Sequence, residues 1–154
     1  MLNIHKRDIF TSTADIIAIT TNSVLNNKGH LVMGAGLAKQ AKIKYPELPR
    51  LAGKWIKASN LEYGLYGWTV INLKDRQVGL LQTKKDWRDP SNITLILDSL
   101  IALQYYMTYL EPEVTVAMPL PGIGLGGLSR TAVVKCLEEF LTPSIVKRIL
   151  VFER

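Results

Sequence analysis

The chain has 154 residues, 47% of them hydrophobic and 21% charged, a balance that fits one globular domain and excludes wholesale disorder. One cysteine, Cys136, and two well-separated histidines exclude an internal disulfide framework and a four-ligand zinc site. A formal net charge of +6 favours anionic partners such as nucleotides or nucleic acids, although scattered positive charge also serves solubility alone.

The chain opens on "LNIHK", a short strand over 2–6, followed by Asp8. "DIIAITT" is a β-branched run typical of a buried central strand, and it ends at Asn22. "GLAKQAKIKY" has helical periodicity from Gly36 and stops at Pro46, and "PELPRLAGKWIKAS" restarts a helix with Leu51 and Trp55 on one face. "GWTVINLK" and "VGLLQT" form a strand pair around the turn-prone "KDRQ". Pro90 with Ser91 or Asn92 caps a long amphipathic helix that continues through "ITLILDSLIALQYYMTYL". "EVTVAM" is another buried strand, running into the glycine-rich "PLPGIGLGGLSR". A helix capped by Ser129 or Thr131 follows, and "VKRILVFE" closes the chain as a strand.

This alternation predicts a three-layer α/β/α domain around a mixed, largely parallel sheet, with residues 1–154 in a single domain. The apolar runs are short or interrupted by charge, which reads as no membrane span. The start of the chain is charged within six residues and lacks a signal-peptide core, so a reducing cytoplasm is expected.

In open α/β sheets ligands sit beyond the carboxyl ends of the strands. Asp8, Asn22, the Thr83–Lys85 stretch and the glycine run each follow a strand, so parallel strands would gather them on one edge. Two of these segments, "HLVMGAGLAKQ" and "GIGLGGLSR", are glycine-bearing loops entering helices. Glycine lets amide groups face a phosphate, and the helix N-terminus adds partial positive charge, so the pair suggests a pyrophosphate clamp. Neither loop follows the P-loop or the dinucleotide-binding pattern, and taken alone a glycine-rich turn more often serves chain geometry.

Taken in order, "RDIF", "NSV…MGAGLA", "QTKKDWRDPS" and "PLPGIGLGGLS" resemble the macro domain, an ADP-ribose-binding α/β/α family, over essentially the whole chain. The threonine-lysine stretch Thr83, Lys84, Lys85 and Trp87 resembles the branch that holds the antitoxins stripping ADP-ribose from DNA and the terminal glycohydrolases acting on modified protein carboxylates. The resemblance implies a role for each matched position. Asp8, with Ile9, would accept the adenine amino group, and Phe152 would stack on adenine. Asn22 would reach the distal ribose and serve with Lys84 in catalysis by positioning the attacking groups, with Gly34, Ala35, Gly36 and Leu37 wrapping that ribose and its phosphate. Pro121, Gly122, Ile123, Gly124, Leu125 and Gly126 would bind the diphosphate, and Thr83 would border the site.

Lys84 matches the lysine that the branch uses at the distal ribose. A neutral amine would attack the anomeric carbon, whereas a charged one would stabilise the leaving group, and both roles stay open. The resemblance implies ADP-ribose binding and hydrolysis of the glycosidic bond to a modified macromolecule, with no metal or redox cofactor. ADP-ribose 1''-phosphate hydrolysis and non-catalytic ADP-ribose reading are the alternatives. Gly126 stands where the carboxylate-directed members carry an aspartate, and Arg130 stands where DNA-directed members commonly carry tryptophan. The basic charge, "TKKDWR" and Gly126 favour a DNA base over a protein side chain. "NSVLNNKGHLVMGAG" is longer than usual, and a different cover over the distal ribose is expected from it. His30 and the Glu138–Glu139 pair read as solvated, Cys136, Trp55 and Trp68 as packing residues, and Trp87 equally as a base-stacking or a packing residue.

Overall fold

Strands form where β-branched and apolar residues run together. In the computed structural model, which describes residues 2–153, they are β1 (Ile4–Lys6), β2 (Ile16–Thr21), β3 (Trp68–Asn72), β4 (Gln77–Gln82), β5 (Val116–Pro119) and β6 (Ile149–Glu153). The helices are α1 (Gly36–Lys44), α2 (Leu48–Ala58), α3 (Ile93–Tyr105), α4 (Arg130–Phe140) and α5 (Pro143–Val146). The strands make one sheet in the order β1-β6-β5-β2-β4-β3. Every pairing is parallel except β3 with β4. The mixed, largely parallel sheet expected from the sequence is therefore present.

β2 shows why the layers are three. Ile16 and Ala18 enter the core shared with α3, α4 and α5, while Ile19 on the other face packs with Leu48, Ala52 and Ile56 of α2. A strand buried on both faces loses the polar/apolar alternation, as the sequence shows. The register sets the functional edge: Thr21 lies opposite Gln82 and Pro119 opposite Phe152, so four strands end side by side.

Several strand boundaries differ from the sequence reading: β1 begins at Ile4 and not at Leu2, and β5 at Val116 and not at Glu113. The last strand begins at Ile149 and not at Val146, because Pro143 starts the short helix α5. Arg148 then turns its guanidinium back to the carbonyls of Val114, Met107 and Glu111, at 3.0, 2.8 and 2.7 Å. The long helix is capped by Asn92, whose side chain accepts from the Leu95 amide, and it continues past α3 as a π-helical turn, Tyr106–Leu110. Contrary to the charge-interrupted reading, Ile93–Leu110 is long and apolar enough to cross a bilayer, with mean hydropathy 1.3. In this fold its Leu95, Ile96, Leu100, Leu103 and Met107 are buried in the core.

Candidate active site

A cleft of about 510 Å³ opens at the carboxyl edge of the sheet. Its walls are the 32–38 loop with the start of α1, the 119–126 loop, and the ends of β2 and β4. Lys84 is its only charged lining residue among those described, and no carboxylate lines it. That composition suits an anion.

The two glycine loops supply unpaired donors. The first turn of any helix leaves amides without intrahelical partners. At α1 the cap position is Ala35, which has no side chain to satisfy them, so the amides of Gly36, Leu37 and Ala38 remain available beside the cleft. Across from them, Gly126 and Gly127 spend their amides on Ile123 and Gly124 carbonyls, and Leu128 donates to Gly122. Ile123, Gly124 and Leu125 donate to no backbone carbonyl among the described residues. The helix after this second loop differs from α1, because Ser129 caps α4 by accepting from the Ala132 amide. The amides left without a backbone partner on this side therefore belong to the loop and not to the helix terminus.

Backbone conformation explains the glycines where it matters. Gly122 has φ +82°, and a Cβ there would fall 2.6 Å from Leu128 and 2.8 Å from Ile96. It is excluded from carrying a side chain twice over. Gly126 meets a different obstacle, since an added Cβ would lie 2.4 Å from Ser91 Oγ. Ser91 is buried and donates its amide to the Gly126 carbonyl at 2.9 Å. A side chain at position 126 would thus have to displace the Ser91 hydroxyl.

Lys84 is half-buried at the cleft, and its backbone is held on both sides. Thr83 donates to the Thr21 carbonyl at 3.1 Å and Ser23 to the Lys85 carbonyl at 3.0 Å, extending the β2–β4 ladder past the sheet edge. Gln82, fully buried, sends Nε2 to the Lys84 carbonyl at 3.3 Å and to the Gly64 carbonyl at 2.8 Å. Its Oε1 accepts from the Tyr66 and Gly67 amides at 2.8 and 3.1 Å. Tyr66 in turn donates its hydroxyl to the Asn22 carbonyl at 2.7 Å and contacts the Thr21 hydroxyl. Burial pushes the Tyr66 phenol above its ordinary range, so it stays neutral in this network.

Asn22 lines the cleft but uses its side chain locally. Nδ2 donates to the Val32 carbonyl at 3.0 Å, and Oδ1 accepts from the Val24 amide at 2.8 Å. It closes the long loop, which folds back on itself through a Leu25–Leu31 bridge. The cover expected from this loop is therefore limited to its 32–36 end, while its tip rests on α2, where Gly53 would carry a Cβ only 1.9 Å from the Gly29 carbonyl oxygen. His30 is half-buried and outside the cleft lining.

Gly34, Ala35, Gly36, Leu37 and Thr83 line the cleft, as do Gly122, Ile123, Gly124, Leu125, Gly126 and Phe152. Asp8, Ile9 and Pro121 do not. Asp8 caps the 3-10 turn Ile9–Thr11 by accepting from the Phe10 amide at 3.0 Å, and Ile9 packs with Phe152 in a small core. Phe152 is 3% exposed and is stacked by His5, with ring centroids 5.1 Å apart, while the Arg7 guanidinium lies 5.2 Å from its centre. Trp87 is 51% exposed at the cleft, with Arg88 5.1 Å from its ring, so packing against the next helix does not bury it. Trp68 is buried, and Trp55 and Cys136 are half-buried. Among the described residues no group of three His, Cys, Asp or Glu side chains forms a candidate metal site. Sequence reasoning missed Gln82, Ser91 and Tyr66, whose only signal was a polar group at the margin of an apolar run.

No family model matches the chain. It is similar to a DNA ADP-ribosyl glycohydrolase of Mycobacterium tuberculosis, with 31% identity over 119 residues, 75% of this chain and 34% of the relative. The chain thus spans about a third of the length of the curated relatives it matches. The solved macrodomain of Mycobacterium tuberculosis DarG superimposes with a TM-score of 0.80 and 26% identity, covering 100% of this chain and 98% of that one. A Thermosipho africanus DarTG structure in complex with ADP-ribose aligns with a TM-score of 0.72 and 24% identity, over 99% of this chain and 42% of its own.

Proposed function

Because the chain belongs to the macrodomain family, on the branch of the DarG macrodomains, we propose that it binds ADP-ribose and hydrolyses the glycosidic bond joining ADP-ribose to a modified macromolecule. The observation that carries this reading is the cleft itself: two loops of unpaired amides face each other, with Lys84 the only charged lining residue among those described. The opposed amides suit a diphosphate, which holds the distal ribose toward Lys84 at the end of β4. The ADP-ribose held by the Thermosipho protein and the activity named for the mycobacterial relative support the same assignment.

A DNA base is preferred to a protein carboxylate as the modified group. The net charge of +6 favours a polyanion, and a side chain at position 126 would meet the Ser91 hydroxyl, which disfavours a carboxylate there. In the reaction, water adds its oxygen to the anomeric carbon, the C–N bond electrons stay with the base nitrogen, and a proton ends there. The chain acts in this reading without a metal or redox cofactor, in a cytoplasmic setting.

The test incubates purified protein with ADP-ribosylated oligonucleotide, ADP-ribosylated protein and ADP-ribose 1''-phosphate, alongside Lys84→Ala. Release of ADP-ribose from the oligonucleotide is expected, with Lys84→Ala slower by about 10²-fold or more and ADP-ribose affinity within about threefold. Turnover of the 1''-phosphate alone makes the protein a phosphatase. Binding without any turnover makes it a reader, and absence of ADP-ribose binding in calorimetry overturns the assignment.

A further inference from the structure

A second cavity of about 500 Å³ lies between Leu65, the 84–92 stretch and the start of α3, and no residue of either glycine loop lines it among those described. Lys84 and Ser91 line both cavities, so these two residues, one of them assigned to the anomeric carbon, stand at the border between them. The second cavity has an apolar wall in Leu65, which is 39% exposed, and a buried floor in Leu95. Its rim carries Lys85, Asp89 and Asp98. We propose that this cavity is the leaving-group subsite, and that it seats a nucleobase of the modified strand between Leu65 and the first turns of α3.

The proposal rests on the reading of the cleft as an ADP-ribosyl glycohydrolase site. A bond being cleaved has two sides, and the cleft around the glycine loops accounts for one. Whatever leaves the anomeric carbon must sit across Lys84, where this is the cavity that shares it. The lining chemistry selects among leaving groups. A base presents flat apolar faces to Leu65 and N–H donors to carboxylate acceptors. Asp89 and Asp98 would instead oppose a departing carboxylate, since like charges a few ångströms apart repel. Lys85 remains to pair with a carbonyl oxygen of the base or with the adjacent phosphate.

Thr94 and Asp98 line the cavity from exposed positions on α3, so both can be changed without disturbing the core. The substrate is a single-stranded oligonucleotide carrying ADP-ribose on one base, with free ADP-ribose as the binding control. Thr94→Trp, which fills the cavity, should raise KM for the oligonucleotide about tenfold or more, with kcat and ADP-ribose affinity within about twofold of wild type. Asp98→Asn should raise KM by a smaller factor. An unchanged KM in both variants overturns the subsite while leaving the glycohydrolase reading intact. A KM raised for ADP-ribosylated protein and not for the oligonucleotide overturns the nucleobase assignment. Wild-type protein that binds ADP-ribose but cleaves no conjugate removes the glycohydrolase reading, and the subsite with it.

Discussion

Leu125 Cδ1 lies 3.4 Å from the point at which Gly36 would carry a Cβ, so the second glycine loop touches the start of α1 across the mouth of the cleft. Leu125 is nevertheless 75% exposed. This leaves an apolar side chain exposed at the rim of the cleft, beside the opposite wall.

Gly36 has φ +56°, so Gly36→Val combines backbone strain of about 1–3 kcal/mol with a side chain pressed against Leu125. ADP-ribose affinity should fall about tenfold or more. Leu125→Ala should change unfolding stability by less than about 0.5 kcal/mol while weakening ADP-ribose measurably. Calorimetric titration of both variants checks this, and wild-type affinity in each would show that the loops do not close on the ligand.

Gly126→Asp tests why the loop lacks a carboxylate. With Ser91 Oγ 2.4 Å from the incoming Cβ, the substitution should cost about 1–3 kcal/mol in chemical denaturation. The double variant Gly126→Asp/Ser91→Gly should recover most of that loss. Equal instability in the single and double variants would assign the cost to something other than this contact.

Gln82→Leu leaves the Tyr66 and Gly67 amides and the Gly64 and Lys84 carbonyls without their partner. A loss of about 2–4 kcal/mol in stability is expected from so many buried groups. Because Lys84 loses its backbone anchor, kcat should fall further than KM rises at a temperature where the variant is folded. A fall in kcat that vanishes once the folded fraction is corrected for would make Gln82 purely structural.

Asp86 carries the pH prediction. Hydrogen bonds from the Arg88 side chain and backbone hold its carboxyl down at about 2, against an ordinary value of 3.8. The unfolded chain therefore takes up the proton first as pH falls. The stabilisation is complete above about 3.8 and disappears as pH drops through about 2. Thermal unfolding across that window should show a shallower decline for Asp86→Asn than for wild type. The effect should be small, because the pair is exposed and screened by salt.

The edge on which the site lies was legible in the sequence because parallel strands buried on both faces announce themselves as β-branched runs. "DIIAITT", "VGLLQT" and "EVTVAM" gave their carboxyl ends, and with them the loops that could meet a ligand. The helix caps Asn92 and Ser129 were also among the named candidates, since capping is a contact between near neighbours in the chain. Lys84, Gly34 and Gly124 were named for the same kind of reason: each sits just past a strand or just before a helix.

Relations between distant residues were not written in any local pattern. Ser91 against Gly126, Gln82 holding Lys84 and the 64–67 turn, and Leu125 over Gly36 each join segments that only the sheet brings together. A buried amide such as Gln82 reads in sequence as a polar residue at a strand end, and its four partners exist only after folding. The sequence by itself determined the layers, the functional edge and the glycine loops, because these follow from periodicity and backbone freedom over short spans. Which amides stay unpaired, what a side chain at position 126 would meet, and the second cavity bordered by Lys84 were decided by tertiary packing, because each depends on distances between atoms far apart in the chain.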